Sequence, residues 1–314
     1  MKKLSSLLIF LLLGVSARAA LYGIDNREMI TATSRRQPLA RATAIAVLDS
    51  LIDRKQPGFF SIEVDPPLLN LCRDEKFSSV STLSYACSGF LVAPDLLVTA
   101  GHCMVNTGVD QHETETWCKA FHWLFDYEDL GSGAAEVKSI PNERLYDCKE
   151  VIYAVREEKA PYRDYALVRL ARAVKDRTPF KLASGDVTAS TLVSMFGYPF
   201  GMPVIYSPLA RVLLNDPSRQ SYITNLNAFD GNSGSPVINL NNEVVGILIG
   251  GVPTDSFGGE SAGACRRYNR CNYFGGNCVN PDANTSVFPG YQGVGSEVQR
   301  IAPLIELIKS AELK

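Results

Sequence analysis

The chain has 314 residues, 46% of them hydrophobic and 20% charged, with 31 lysines and arginines against 33 aspartates and glutamates and a formal net charge of −2. That composition excludes a disordered or fibrous chain and supplies enough apolar side chains for one large core or two smaller adjoining ones. No dense run of basic residues follows the first twenty positions, which argues against a nucleic-acid partner.

Residues 1–19 have the layout of an export signal: Lys2 and Lys3, an apolar run over 7–15, then Ala17-Arg18-Ala19 as a small-x-small cleavage site. The competing reading is a membrane anchor, but the run is well short of the roughly 20 residues that span a bilayer, so no stable membrane insertion is expected. The expected location is secreted or periplasmic. Removing the signal takes away Lys2, Lys3 and Arg18 and moves the formal charge from −2 to about −5. All eight cysteines lie after the signal, and an oxidising compartment favours disulfides over free thiols. Their spacings contain no Cys-x-x-Cys pair, so neither zinc nor another metal or cofactor is expected.

Residues 20–41 are polar and carry the basic pair Arg35-Arg36, consistent with a propeptide, an N-terminal arm, or both. A short apolar stretch over 42–48 follows. Strand-like runs then recur at 89–92, 96–100, 151–155, 166–170, 192–198, 210–214, 221–224, 236–240 and 243–249, with Gly, Pro, Asn or Asp between them. Many short strands and little 3.6-residue periodicity predict an all-β sandwich or barrel. One helix is expected, at the end, where Val298, Ile301, Ile305 and Ile308 fall on one face. Residues 252–290, rich in Gly, Asn, Tyr and Cys, read as a long surface loop held by three cysteines.

Three segments carry candidate chemistry. Residues 87–103 form two strand-like runs joined at Pro94-Asp95 and enclosed by Cys87 and Cys103. A bridge between these two would pin His102, as a general base requires; a surface histidine beside a structural disulfide is the alternative. Residues 230–237 read Asp-Gly-Asn-Ser-Gly-Ser-Pro-Val. Glycines on both sides of Ser233 let the chain turn sharply so that the hydroxyl protrudes and the amides of Gly231 and Ser233 converge where an oxyanion would sit. A plain Gly-Ser-Pro turn is the alternative. The third segment begins Arg163-Asp164-Tyr165, and a carboxylate at Asp164 bonded to His102 would fix the ring's tautomer; a surface aspartate is the alternative, and Asp126, Asp129 and Asp147 also lie between the two.

Together, Thr99-Ala100-Gly101-His102-Cys103, Asp164-Tyr165-Ala166-Leu167 and Gly231-Asn232-Ser233-Gly234-Ser235-Pro236 resemble, in the same order, the three signatures of chymotrypsin-like serine peptidases. Gly246-Ile247-Leu248-Ile249-Gly250-Gly251 is similar to the family's strand that pairs with the substrate backbone. Asn232, Ser235, Phe196-Gly197-Tyr198-Pro199 and the leader Tyr22-Gly23-Ile24-Asp25-Asn26-Arg27 resemble bacterial V8-like (glutamyl endopeptidase) members more than trypsin.

The resemblance implies two antiparallel six-stranded β-barrels spanning about 42–175 and 180–297, and a C-terminal α-helix over about 297–310. It implies a catalytic triad of His102, Asp164 and Ser233, an oxyanion hole at Gly231 and Ser233, and substrate-binding positions at Asn227, Ala228, Ile249, Gly250 and Gly251. Protein or peptide substrates would be the partners, while oligomeric state is left open. Asn232 is uncharged where trypsin has an aspartate that binds the new N-terminal ammonium, so maturation cannot use that ion pair. Asn227 disfavours tryptic specificity. Leu248 stands where glutamate-specific members carry histidine. The further expected pairings are Cys118 with Cys148, and Cys72 with one of Cys265, Cys271 or Cys278 while the other two pair together. A non-catalytic binding module on the same fold, or a peptidase restricted to itself or one partner, are the competing functions.

Overall fold

A computed structural model describes residues 20–64, 70–84, 87–127, 136–157, 159, 162–251, 256–258, 265–279 and 293–313. The expected export signal lies outside them. The first barrel is a closed ring of β1 (Thr43–Leu48), β2 (Ser88–Ala93), β3 (Leu96–Thr99), β4 (Phe121–Phe125), β5 (Leu145–Arg156) and β6 (Asp164–Leu170), with ring order β5-β6-β3-β2-β1-β4 and antiparallel pairing throughout. Short strands of branched and aromatic residues suit a closed barrel, which leaves no unpaired edge. Every residue of β3 and β4 is buried, and Trp123, Phe90 and Phe125 fill the interior.

The second barrel comprises β7 (Leu192–Gly197), β8 (Ile205–Leu214), β9 (Ser221–Thr224), β10 (Pro236–Ile238), β11 (Glu243–Gly251) and β12 (Ser296–Arg300). It closes through antiparallel β11–β12 pairing in the ring order β11-β10-β7-β8-β9-β12. Val193, Met195, Val212, Tyr222, Val237, Leu248 and Val298 are among its core residues. The double barrel expected from the sequence is therefore the architecture of this chain.

Three local expectations change. Besides a single helical turn at Gln37–Ala40, a further helix, α1 (Gln111–Ala120), precedes β4. Its face toward the protein is narrow, burying Thr114 and Cys118, so hydrophobic periodicity does not reveal it. Its start was nevertheless written in the sequence: Asp110 caps it, accepting the Glu113 N–H at 3.0 Å, in an acid-x-x-Glu pattern. The C-terminal helix, α2 (Ala302–Glu312), begins later than expected, because Val298 belongs to β12. Pro303 sits in its first turn, where a missing N–H costs nothing, and its buried face is Leu304, Ile308 and Ala311 rather than the Val298–Ile308 series. The expected 252–290 loop is also more than surface. In its described part, Tyr268, Cys271 and Cys278 are buried and short strand pairs form.

That part binds the N-terminal arm. Leu21–Tyr22 runs parallel to Arg270–Cys271, and Glu28–Met29 adds antiparallel to β8 at Ile205 and Tyr206. Between them, Arg27 is wholly buried, bonded to the Asp25 carboxylate at 2.8 and 2.7 Å and facing the rings of Phe77, Phe229 and Tyr268 at 5.2, 4.8 and 4.5 Å. A buried cation needs such a carboxylate and aromatic faces to replace its hydration. Disulfides join Cys72–Cys265, Cys87–Cys103, Cys118–Cys148 and Cys271–Cys278, so Cys265 is the partner of Cys72 and no cysteine is free.

Arg27→Met leaves the Asp25 carboxylate buried without its partner. It is expected to cost about 3–5 kcal/mol in urea unfolding, and a change below about 1 kcal/mol would contradict the buried pair. Burial alone would raise the Asp25 carboxyl, but the Arg27 hydrogen bonds and charge outweigh it and hold it below its usual 3.8. The stability this contributes is present above that unfolded value and lost as pH falls through the lower folded one. Acid titration of unfolding below pH 4 is expected to be shallower in Asp25→Asn than in the wild type; equal slopes would contradict the assignment.

Candidate active site

β3 runs into Ala100-Gly101-His102-Cys103, a single turn packed against β5 and β6. A side chain at Gly101 would overlap the Val155 carbonyl oxygen, so only glycine lets the turn lie this close. The Cys87–Cys103 bridge ties the turn back to the start of β2. Asp164, the first residue of β6, then faces the turn. Its Oδ1 accepts the His102 backbone N–H at 2.9 Å, and its Oδ2 lies 2.8 Å from His102 Nδ1. An ionised carboxylate only accepts, so in the neutral ring Nδ1 carries the proton and Nε2 the lone pair. The pair is partly exposed, with side-chain accessibilities of 16% and 14%.

The second barrel holds Asp164 from behind. Its N–H donates to Gln299 Oε1 at 3.0 Å, and Gln299, itself wholly buried on β12, donates from Nε2 to the Gln220 carbonyl at 2.7 Å. Glu297, two residues earlier on β12, accepts from the Ser221 hydroxyl and from Arg219. Burial is the main force raising its carboxyl above the usual 4.5; the nearby Asp164 charge adds to this, while Ser221 and Arg219 oppose it. Sequence reading reaches neither Gln299 nor Glu297, since both sit on a strand taken for the start of a helix.

Ser233 comes from the turn between β9 and β10 and is 5% exposed. The turn docks on the first barrel: Ser88 N–H donates to Ser233 O at 2.7 Å, and Gly234, at φ +88°, lies so close to the Ser88 carbonyl and Thr99 hydroxyl that a Cβ would overlap both. The serine loop therefore meets the strand that leads to His102. No hydrogen bond joins Ser233 Oγ to His102 among the described residues; such bonds are often long without substrate. The Gly231 and Ser233 N–H groups have no acceptor among the described residues. Phe200 N–H holds Asp230 O at 2.6 Å, and because C=O and N–H of one trans peptide point oppositely, the Gly231 N–H is aimed the other way.

The other expected site residues divide. Beyond Leu248, the β10 side of β11 has no strand partner among the described residues, so Ile249, Gly250 and Gly251 present an open edge while Gly250 and Gly251 pair with β12 on the other side. Asn227 and Ala228 are buried. Asn227 Oδ1 accepts the Tyr22 N–H at 2.7 Å, and its Nδ2 donates to Ile24 O and Asn26 Oδ1, so the arm occupies its amide. Ala228 packs in the second barrel's core. Neither side chain faces open solvent. Cys87, His102 and Cys103 form the metal-ligand-like cluster among the described residues, but both sulfurs are committed to their disulfide.

The trypsin family matches residues 74–272. The chain belongs to the trypsin family. Among its curated relatives, the glutamyl endopeptidase of Staphylococcus aureus strain MRSA252 is 28% identical over 172 residues, 55% of this chain and 44% of that protein. That of strain MW2 is 28% identical over 174 residues, 55% of this chain and 49% of that protein. The chain thus spans about half the length of the curated relatives it matches. A solved Glu endopeptidase in complex with MPD superposes with a TM-score of 0.51 at 13% identity, covering 94% of this chain and all of that one, a likeness of fold.

The geometry predicts a hydrogen-bonded His102 Nδ1–H resonance in proton NMR of the folded protein. Asp164→Asn should abolish it, because the amide can turn its N–H toward the ring; an unchanged resonance would contradict the assigned tautomer.

Proposed function

We propose that this chain is a secreted serine endopeptidase that hydrolyses peptide bonds with His102, Asp164 and Ser233. The observation that carries the reading is the fixed His102 ring, its Nδ1 held by Asp164 at 2.8 Å, on a turn whose strand meets a serine loop with two N–H groups that have no acceptor among the described residues. In this reading an extended substrate adds to the open edge at Ile249–Gly251, where backbone bonds align the scissile peptide. The Ser233 hydroxyl attacks the carbonyl carbon as Nε2 of His102 takes its proton. Asp164 stabilises the imidazolium, and the N–H groups of Gly231 and Ser233 hold the oxyanion. His102 returns the proton to the leaving amine, and water then releases the acyl group by the reverse sequence.

Residues 1–19 are proposed as the export signal, and the disulfides agree with an oxidising destination. Of the two readings for residues 20–41, a retained arm is favoured, since the burial of Ala20, Leu21, Tyr22 and Arg27 makes this segment part of the fold. The named relatives are glutamyl endopeptidases, yet Leu248 is apolar and buried, and Asn227 is engaged by the arm, so neither supplies a charge to recognise glutamate. The proposed preference is for an uncharged residue before the cleaved bond.

A peptide-library digest with the exported protein is expected to give cleavage after uncharged residues. Ser233→Ala and His102→Ala should each lower the rate by about 10⁴- to 10⁶-fold. Strict cleavage after glutamate would overturn the specificity, and turnover surviving in Ser233→Ala would overturn the mechanism.

A further inference from the structure

We infer that Ser88 is a positioning residue for the oxyanion hole, acting through the Gly231 carbonyl. This rests on the peptidase reading above and extends it to a side chain that touches no reacting atom. Ser88 is wholly buried on β2, directly after Cys87, and uses every hydrogen-bonding group it has. Its N–H donates to Ser233 O at 2.7 Å, and its carbonyl accepts the Thr99 hydroxyl at 2.7 Å. Its Oγ donates to Gly231 O at 2.7 Å and accepts the Tyr198 N–H at 3.2 Å.

The hydroxyl has a single proton. With the Tyr198 N–H on one lone pair, that proton is directed to the Gly231 carbonyl. Gly231 sits at φ +90°, where lack of a Cβ leaves its flanking peptides freer to rotate than those of any other residue. Three bonds limit that freedom, one of them from the Asn232 N–H to Phe229 O at 3.0 Å. The Phe200 N–H fixes the peptide before Gly231, which carries the oxyanion-binding N–H, and the Ser88 hydroxyl fixes the peptide after it. Loss of the Ser88 bond leaves the peptide after Gly231 held only at its Asn232 N–H, so that Gly231 gains freedom and its own N–H is less tightly aimed at the oxyanion. Through Thr99, the same residue ties this loop to the strand that ends three residues before His102, so one buried serine sets nucleophile loop and base in common register.

Transition-state stabilisation should suffer while ground-state binding along the β11 edge does not. Ser88→Ala is expected to lower kcat by about 10- to 100-fold, somewhat less than deleting an oxyanion donor outright, with KM within about twofold. Affinity for a peptide boronate, whose tetrahedral adduct uses the same hole, should fall in parallel with kcat. Ser88→Gly keeps both backbone bonds, loses the hydroxyl together with its Cβ, and serves where the alanine variant does not fold. Assays run well below each variant's melting temperature separate this from general loosening. Wild-type kcat or undiminished boronate affinity in a folded, hydroxyl-free variant would overturn the inference alone. A wild-type protein that neither cleaves peptides nor binds the boronate would overturn the peptidase reading and this inference with it.

Discussion

Everything at this candidate site depends on the seam between two barrels, because Asp164 and His102 stand on one and Ser233 on the other. In the proposed mechanism, a shift of an ångström across that seam would separate groups that act within hydrogen-bond reach. The structure spends buried polar contacts there. The Ser88 N–H to the Ser233 carbonyl, the Ser88 hydroxyl to the Gly231 carbonyl, and the Asp164 N–H to Gln299 Oε1 all cross from barrel to barrel. The two Ser88 bonds lie in a water-excluded setting and the Asp164 bond in a part-buried one, where an unmade bond is costly, so the barrels have one favourable register. Glycine at 234 permits the contact by removing the side chain that would hold the surfaces apart.

A second constraint works from outside the barrels. The N-terminal arm, the segment around Cys72 and the segment around Cys265 assemble an apolar satellite in which Leu21, Leu71, Phe200, Met202, Phe229 and Tyr268 pack together. Phe200 and Phe229 lie within it, and both belong to the turns that shape the serine loop. Where trypsin orders this region with an ammonium bonded to an aspartate, Asn232 offers no charge here. The arm's backbone bonds to Asn227 and the Arg27 contact with Phe229 supply order by other means.

The barrels and the three motifs were legible because their signals are local. Runs such as Leu96-Leu97-Val98-Thr99 show burial on their own, and the strings around His102, Asp164 and Ser233 are contiguous. What stayed hidden is set by partners far along the chain. Ser88 and Gly231 are 143 positions apart, and Asp164 and Gln299 are 135 apart. Nothing in a single sequence joins them. Helix α1 was missed because its buried face is short and polar, although Asp110 and Glu113 announced it. Asn227 was read as a pocket floor because family spacing says nothing of an arm that returns from residue 22 to claim its amide.

The measurement that bears most directly on the account is labelling of the exported protein by a fluorophosphonate, with mass spectrometry to locate the adduct and Ser233→Ala as control. An activated serine held beside His102 predicts one adduct, on Ser233, absent from the control. A folded protein that stays unlabelled, or one labelled equally in the control, would contradict it, and the double barrel would then be a scaffold for binding rather than catalysis.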